Sequence, residues 1–175
     1  MLNLITGEKK FLLHDDKGFD FVYYDNQLNV RLALNEGPVM DSPPVAYKLV
    51  SVTENHTGHW QLLETIDFVL YADVYFDKSN TGFYWIGFNG HNTVGLSFTK
   101  FNQIDKRKLV YSSSVADLET HAVIYHPTHY SPLMVYDEYA SPKLVLLNNS
   151  AKLDRDKISQ IRHGEPRVYQ TSNGL

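Results

Sequence analysis

The 175-residue sequence contains no cysteine. This excludes disulfides, thiol nucleophiles, iron–sulfur clusters and cysteine-ligated zinc, so that only histidine and carboxylate side chains remain as metal ligands. An excess of positive charge is also missing, since the net charge is -4. Sequence-independent binding of nucleic acid needs clustered Lys and Arg. The one basic cluster, Lys106-Arg107-Lys108, follows Asp105 and is interpreted as a solvated turn, so no nucleic-acid partner is expected.

Long hydrophobic runs are missing as well. The first ten residues hold too short an apolar stretch for a signal peptide, and no run reaches the length of a membrane-spanning helix. These features predict a soluble, cytoplasmic protein without a membrane partner. The sequence also lacks a P-loop, a Rossmann glycine pattern, a nucleophile elbow and an EF-hand loop, so the cofactors are unknown and enzymatic activity is left open.

Aromatic residues, by contrast, are abundant. Twelve Tyr, nine Phe and two Trp make up 13% of the chain. Such side chains are favoured on the pleated surface of a sheet. Because 175 residues is an ordinary length for one domain, we expect residues 1–175 to form a single β-rich domain.

Alternation with a period of two predicts most of the strands. Along residues 28–34 the apolar side chains Leu28, Val30, Leu32 and Leu34 alternate with Asn29, Arg31 and Ala33, which indicates one buried and one solvated face. A short polar connection, Asp25-Asn26-Gln27, joins this strand to residues 19–24 in a first hairpin. A second hairpin is predicted from residues 67–76 and 83–88. Further strands are predicted at residues 10–14, 45–53, 60–64, 93–101, 108–112, 122–126, 133–136 and 143–147.

One segment near the C-terminal end has the pattern of a helix. Ser150 is placed to cap its beginning and Gly164 to end it. The predicted fold class is therefore mainly β, an antiparallel β-barrel or sandwich with one C-terminal α-helix. The sequence shows no internal repeat of fixed period.

Six of the eight histidines lie between residues 56 and 129, and four of them form two H-x-x-H pairs. In loops, such pairs can place two imidazoles on one metal ion, and three or four ligands of this kind suit zinc, nickel or iron. The predicted ligands are His56, His59, His126 and His129, with Glu54 or Asp137 as a carboxylate alternative. The other interpretation is that these are solvated loop histidines.

A second pattern overlaps the first. The tripeptides His91-Asn92-Thr93 and His126-Pro127-Thr128 resemble the H-x-T motifs of the two-histidine phosphoesterases. The resemblance implies that His91 and His126 act as general acid and base and that Thr93 and Thr128 bind phosphate oxygens. The two tripeptides lie closer together than the duplicated α/β lobes of that family require, so the similarity is one of chemistry.

The aromatic stretch at residues 83–91 has two interpretations. Trp and Tyr offer flat faces with a polar tip, so Tyr84 and Trp85 with the nearby Asn89 are predicted to bind a ligand, such as a sugar or an apolar molecule. The alternative is a core strand that ends in a turn.

These observations together favour a non-enzymatic binding or accessory protein for a small molecule, a glycan or a protein partner. The alternative is a hydrolase, metal-dependent or phosphoesterase-like, that uses the central histidines. A third possibility is a protein whose role is interaction alone, such as an inhibitor.

Overall fold

Short segments rich in aromatic and β-branched residues fold as strands between polar turns. The computed structural model describes residues 5–9, 11–14, 17–35, 44–63, 74–88, 90, 92–139 and 141–161. Within these ranges there are eleven strands, one 3₁₀ turn and one α-helix. The chain divides into two compact units, Met1–Ile66 and Asp67–Leu175.

The first unit contains one sheet of four antiparallel strands that follow one another in chain order. These strands are β1 (Phe21–Tyr24), β2 (Val30–Asn35), β3 (Val45–Val52) and β4 (Gly58–Leu63). Across three of them, Leu34 lies opposite Ala46 and Ala46 opposite Leu63, and all three side chains are buried. One face of the sheet is therefore held by a row of apolar cross-strand pairs.

The opposite face of the first sheet is covered at Ala33, which the alternation of β2 did not predict. Ala33 is fully buried although it was expected on the solvated face, while Leu28 was expected to be buried and is 53% exposed. Ala33 lies opposite Tyr47, whose ring packs 5.3 Å from the ring of Phe19. Phe19 also contacts Trp60 at 4.6 Å between ring centroids. Phe19, which precedes β1, thus shields the second face.

The second unit begins with another sheet of four antiparallel strands in chain order. They are β5 (Tyr75–Phe76), β6 (Gly82–Gly87), β7 (Gly95–Lys100) and β8 (Gln103–Ser112). On one face, Phe83 lies opposite Thr99 and Trp85 opposite Ser97, and all four side chains are fully buried. Small side chains on β7 leave room for the two large rings of β6, so the sheet can pack densely on this face.

The third sheet, also in the second unit, has three antiparallel strands in the order β11-β10-β9. They are β9 (Val123–Tyr125), β10 (Pro132–Tyr139) and β11 (Ser141–Leu146). Leu133, Met134 and Leu144 form its buried cluster. Tyr125 of β9 stacks on Tyr75 of β5 with 4.0 Å between ring centroids, so the second and third sheets are in contact.

The helix after β11 begins slightly differently from the sequence prediction. A 3₁₀ turn, Asn149–Ala151, precedes α1 (Lys152–Ile161). The capping side chain is that of Asn148, which accepts a hydrogen bond from the backbone N–H of Ser150 at 3.0 Å. Ser150 as the cap was therefore wrong by two residues, because the shorter 3₁₀ turn comes first. Gly164 lies outside the described residues. No described helix has the length and apolarity needed to cross a lipid bilayer.

The basic cluster Lys106-Arg107-Lys108 is part of a strand, and its interpretation as a turn was wrong. It lies in β8, at the edge of the second sheet, and its residues are exposed. Charged side chains on an edge strand discourage pairing with another chain. The N-terminal strand predicted at residues 10–14 is reduced to an isolated bridge between His14 and Thr57 within the described residues.

The predicted fold class is confirmed: antiparallel strands dominate, and one C-terminal helix follows them. The helix has 10 residues, no more than β8 alone. The strand orders show open sheets, none of which closes into a barrel in the described part of the chain. The assignment of residues 1–175 to one domain stays a prediction. The segment at residues 64–73, which includes most of the predicted strand at 67–76, lies outside the described residues.

Candidate functional site

The turn between β1 and β2 is closed by the carboxylate of Asp25. The backbone N–H of Asp25 donates to the carbonyl of Asn29 at 2.9 Å, and that of Leu28 donates to the carbonyl of Asp25 at 2.9 Å. The Asp25 Oδ1 accepts from the backbone N–H groups of Gln27 and Asn29, both at 2.9 Å. Leu28 takes the left-handed conformation, with φ of 64°. A side chain that accepts backbone N–H groups thus stabilises the turn.

Asp25 is also paired with a cation. Its Oδ2 lies 2.9 Å from the Arg31 guanidinium, and the residue is 4% exposed. Burial by itself would raise the pKa of this carboxyl, but hydrogen bonds from the Asn29 backbone and from Arg31 hold the pKa below its ordinary value of 3.8. Asp25 therefore stays charged, with the charge-assisted hydrogen bonds that a buried carboxylate needs.

The turn between β3 and β4 has the same backbone pattern with a hydroxyl in place of the carboxylate. The N–H of Thr53 donates to the carbonyl of Thr57, and that of His56 to the carbonyl of Thr53, both at 2.9 Å. The Thr53 hydroxyl accepts from the N–H of Thr57 at 3.1 Å. His56 occupies the left-handed position, with φ of 59°. Its backbone thus belongs to the turn geometry.

The turn between β5 and β6 is a longer version closed by Asp77. Its carboxylate accepts from the backbone of Thr81 at 2.8 Å and of Gly82 at 2.9 Å, and from the Ser79 hydroxyl at 2.6 Å. Burial would raise the pKa of Asp77, but the Ser79 hydroxyl and the Gly82 backbone N–H lower it below 3.8. Asn80, with φ of 56°, fills the left-handed position.

The turn between β9 and β10 repeats the pattern with an imidazole. The N–H of His126 donates to the carbonyl of Ser131 at 2.8 Å, and that of Tyr130 to the carbonyl of His126 at 2.9 Å. The Nδ1 of His126 accepts from the backbone N–H groups of Thr128 and His129, both at 3.2 Å. Tyr130 has φ of 54°. An Nδ1 that accepts hydrogen bonds carries no proton, so a neutral ring has its proton on Nε2.

Three of these turns share a short sequence pattern that does not amount to a repeat of fixed period. Each follows the first strand of its sheet, and the tetrapeptides before them are alike: Val22-Tyr23-Tyr24-Asp25, Val74-Tyr75-Phe76-Asp77 and Val123-Ile124-Tyr125-His126. The spacing is roughly 50 residues, within the range of repeat proteins. The signal is an apolar and aromatic strand end followed by Asp or His. It is short, and the different turn lengths obscure the period.

The predicted metal ligands are divided between the two units, with His56 and His59 in the first and His126 and His129 in the second. His59 lies exposed on β4, opposite Ser51. The rings of His126 and His129 lie 4.3 Å apart, although the Nδ1 of His126 is occupied by the turn. Among the described residues, no group of three or more His, Asp or Glu is placed to hold a metal ion. Binding of a metal by His56, His59, His126 and His129 stays a prediction, without such a group to support it.

The threonines of the two H-x-T tripeptides make contacts within the protein. The Thr93 hydroxyl donates to the carbonyl of Ser113 at 2.8 Å, and the Thr128 hydroxyl lies 3.2 Å from the Nδ1 of His126. His91 lies outside the described residues. The acid–base pair of His91 and His126 therefore stays a prediction.

The predicted aromatic ligand site is divided between core and surface. Trp85 is fully buried, and its indole Nε1–H donates to the Thr99 hydroxyl at 2.8 Å, which favours the core interpretation of this residue. Tyr84, half-buried, packs between Phe98 at 4.8 Å and Tyr125 at 5.8 Å. Burial, and then the charge of Asp77, raise the pKa of Tyr84 above its ordinary value of 10.0.

Asn89, the third predicted ligand-binding residue, lies outside the described residues. The Tyr84 ring belongs to a row of aromatic side chains that ends at the Tyr75–Tyr125 stack, where Tyr75 is 41% exposed. Ligand binding by Tyr84, Trp85 and Asn89 stays a prediction.

A further polar pair lies between the second and third sheets. The hydroxyl of Tyr111 on β8 donates to Oδ2 of Asp137 on β10 at 2.6 Å. Burial, together with this hydrogen bond and the charge of Asp137, raises the pKa of Tyr111 to about 12. Asp137, one of the carboxylates considered as a metal ligand, is thus engaged in a contact between sheets.

Comparison with known proteins gives one partial similarity. The chain is 30% identical to the dipeptidyl peptidase family member 6 of Caenorhabditis elegans over 154 residues, which cover 85% of this chain and 20% of that protein. No family model and no solved structure matches the chain. The chain therefore spans about a fifth of the length of the curated relative, and it is similar to that part of a protein named as a dipeptidyl peptidase family member.

Proposed function

We propose that this chain is a non-catalytic binding or accessory part of a protein related to the dipeptidyl peptidases. The observation that carries the proposal is the partial similarity: 85% of this chain corresponds to 20% of a protein named as a member of that family. A part of this size, built from β sheets, is suited to presenting a surface to a small molecule, a glycan or a protein partner.

The roles of the candidate catalytic side chains support the non-catalytic interpretation. His126, the one histidine shared by both motifs, uses its Nδ1 to close a turn, and Thr93 donates its hydroxyl to a backbone carbonyl. A general base must be able to reach a substrate proton through a free nitrogen or oxygen. The described contacts of His126 and Thr93 instead serve the hairpins.

The repeated hairpins also support a binding role. Each of the first two sheets has the four antiparallel strands, in chain order, that are typical of one blade of a β-propeller. In repeat proteins, the connections between strands vary from one repeat to the next and commonly provide the binding face. The turns at Asp25, Asp77 and His126 follow the first strand of their sheets, and two of them carry an aspartate where the third carries a histidine.

The competing function is hydrolysis, which the name of the relative favours. The purified chain should be incubated with dipeptidyl p-nitroanilides and with a fluorophosphonate that labels activated serines. The accessory interpretation predicts that no p-nitroaniline is released and that no serine is labelled. It also predicts that calorimetry detects binding of a peptide and that the bound peptide is recovered intact. If the parent chain releases p-nitroaniline and His126→Asn releases it about 10²-fold or more slowly, His126 is instead a catalytic residue.

The cytoplasmic location and the lack of a nucleic-acid or membrane partner belong to the same proposal. They are measured by fractionation of cells that produce the chain and by binding assays with duplex DNA and with lipid vesicles at physiological salt.

A further inference from the structure

An open cavity of about 380 Å³ lies at the turn end of the first sheet. It is bounded by residues 11–13, by the β1–β2 turn and by β3 with the turn that follows it. Small-molecule sites typically occupy roughly 300–1,000 Å³. The cavity lies wholly within the first unit, whereas the aromatic row and the His126 turn belong to the second unit.

The lining of this cavity is apolar with a few hydrogen-bonding groups. Phe11, Leu28, Leu49 and Val52 contribute apolar surface, and none of the described lining residues is Asp, Glu, Lys or Arg. Phe11, Leu28 and Val52 are 59%, 53% and 45% exposed. Apolar side chains that face an uncharged cavity favour a neutral, mainly apolar ligand, because a charged ligand would lose its hydration without a partner.

Two polar side chains at the cavity, those of His56 and Gln27, have no side-chain hydrogen bond to a described residue. The backbone of His56 is fixed, because its N–H donates to Thr53 and its carbonyl accepts from His14 at 2.7 Å. Its ring meets Phe11 edge-on, with 5.3 Å between centroids and 89° between planes. Neither the His56 imidazole nor the Gln27 carboxamide hydrogen-bonds to another described residue. Both can donate to or accept from a ligand.

Leu28, which lines the cavity, has an unusual backbone conformation. It takes a left-handed φ of 64°, a conformation that is unfavourable for most L-residues and that Asn tolerates. The equivalent turn position between β5 and β6 is Asn80. Leu28 thus combines an unfavourable backbone conformation with an exposed apolar side chain at the edge of the cavity. The turn does not require an apolar side chain at this position, since Asn80 fills the corresponding position between β5 and β6.

We propose that this cavity binds a neutral, mainly apolar small molecule with one hydrogen-bonding group, such as an aromatic amine, alcohol or amide. The rings of the ligand lie against Leu28, Leu49 and Val52, and its polar group bonds to the His56 imidazole or the Gln27 carboxamide. A cavity of this volume can hold a molecule with one or two ring systems. It is too small to hold part of a folded protein.

The test uses N-phenyl-1-naphthylamine, a neutral probe with one N–H group, whose fluorescence rises in apolar surroundings. Titration of the whole chain is expected to show saturable binding of one probe per chain. The variant Leu28→Asn keeps a residue suited to the left-handed position and removes the apolar contact, so it is expected to bind about tenfold more weakly. The matched control Leu62→Asn changes a similarly exposed leucine (43%) on β4, outside the cavity lining, and is expected to bind like the parent.

Melting curves and near-ultraviolet circular dichroism of each variant show whether it is folded. If Leu28→Asn melts below the parent, Val52→Thr replaces it, because threonine keeps the branched shape and adds a hydroxyl to the apolar surface. The proposal is overturned by non-saturable binding, by equal affinity in Leu28→Asn and in the parent, or by equal losses in Leu28→Asn and Leu62→Asn. The proposal is also overturned if sedimentation shows that the chain self-associates and the probe is displaced as it does so. That result would assign the cavity to a second copy of the chain.

Discussion

Among the described residues, four positions other than glycine have a left-handed backbone, and each of them lies in a hairpin turn. They are Leu28, His56, Asn80 and Tyr130. In every case the residue at the start of the turn offers a side-chain acceptor, whether carboxylate, hydroxyl or imidazole. The acceptor offsets the cost of the backbone conformation by pairing N–H groups that would otherwise be open.

Among these acceptors, Asp25 is the residue whose removal we expect to lower the free energy of unfolding most. Asp25→Ala removes the ion pair with Arg31 and the acceptor of two backbone N–H groups, so the free energy of unfolding should fall by about 2–4 kcal/mol. Urea unfolding measures this. Asp105→Ala, at an exposed position on β8, is the control and should stay within about 0.5 kcal/mol of the parent.

The same carboxylate predicts a dependence on acid. Since the folded-state pKa of Asp25 lies below its ordinary value of 3.8, its contribution to stability is present above about pH 4 and is lost as the pH falls through the folded-state pKa. In Asp25→Asn this part of the acid dependence should disappear. An unchanged acid profile in Asp25→Asn would show that Asp25 titrates alike in the folded and unfolded chain.

At the scale of single elements, the His126 turn shows that these turns need a side-chain acceptor and not one particular residue type. His126 stands where the first two sheets have Asp25 and Asp77, and its ring makes the same kind of contact with turn N–H groups. We expect His126→Asp to keep the melting temperature close to that of the parent, because it restores the acceptor of the other two turns. His126→Ala should lose about 0.5–2 kcal/mol, as in the removal of a cap.

If His126 has a role beyond the turn, the two variants will separate stability from function. A His126→Asp protein that is stable but has lost an activity or a bound metal would contradict the purely structural assignment. Thermal melts, metal analysis of protein purified without chelator, and the hydrolysis assay provide these three measurements.

A buried hydrogen bond between Trp85 and Thr99 connects β6 with β7. Thr99→Val keeps the shape of the side chain and removes the buried hydroxyl that accepts the indole N–H, so the free energy of unfolding should fall by about 1–3 kcal/mol. Trp85→Ala should cost about 3–5 kcal/mol. A stable Trp85→Ala protein would instead revive the ligand-binding prediction for this residue.

At the scale of the whole molecule, contacts between sheets of the second unit include the Tyr111–Asp137 hydrogen bond and the Tyr75–Tyr125 stack. The hydrogen bond predicts a dependence on alkali. Tyr111 has a folded-state pKa of about 12, raised above its ordinary value of 10.0, so its contribution is present below about pH 10 and is lost as the pH rises towards 12.

Tyr111→Phe should remove this alkaline dependence and lower the melting temperature at neutral pH, with little effect on secondary structure. The matched control is Tyr139→Phe, an exposed tyrosine on β10. Ultraviolet absorbance of the tyrosinate, followed from pH 9 to 13, measures the titration directly. Identical alkaline unfolding of the parent and Tyr111→Phe would contradict the assignment.

The sequence by itself determined the fold class and most of the strands. Alternation along β2 and the aromatic content of β6 are local properties, so they indicate strands whatever the surroundings. It also located the β1–β2 hairpin, because Asp25-Asn26-Gln27 is a turn signal that needs no distant partner.

Tertiary structure alone decided which faces are buried and what the candidate site residues do. Ala33 is buried because Phe19 covers the face that alternation left to solvent, and Trp85 is a core residue because Ser97 and Thr99 make room for it on the next strand. The role of His126 follows from hydrogen bonds to its own turn, a geometry that the spacing H-x-x-H does not specify. Residue spacing constrains neighbours along a strand, whereas burial and hydrogen bonding depend on neighbours brought together by pairing and packing.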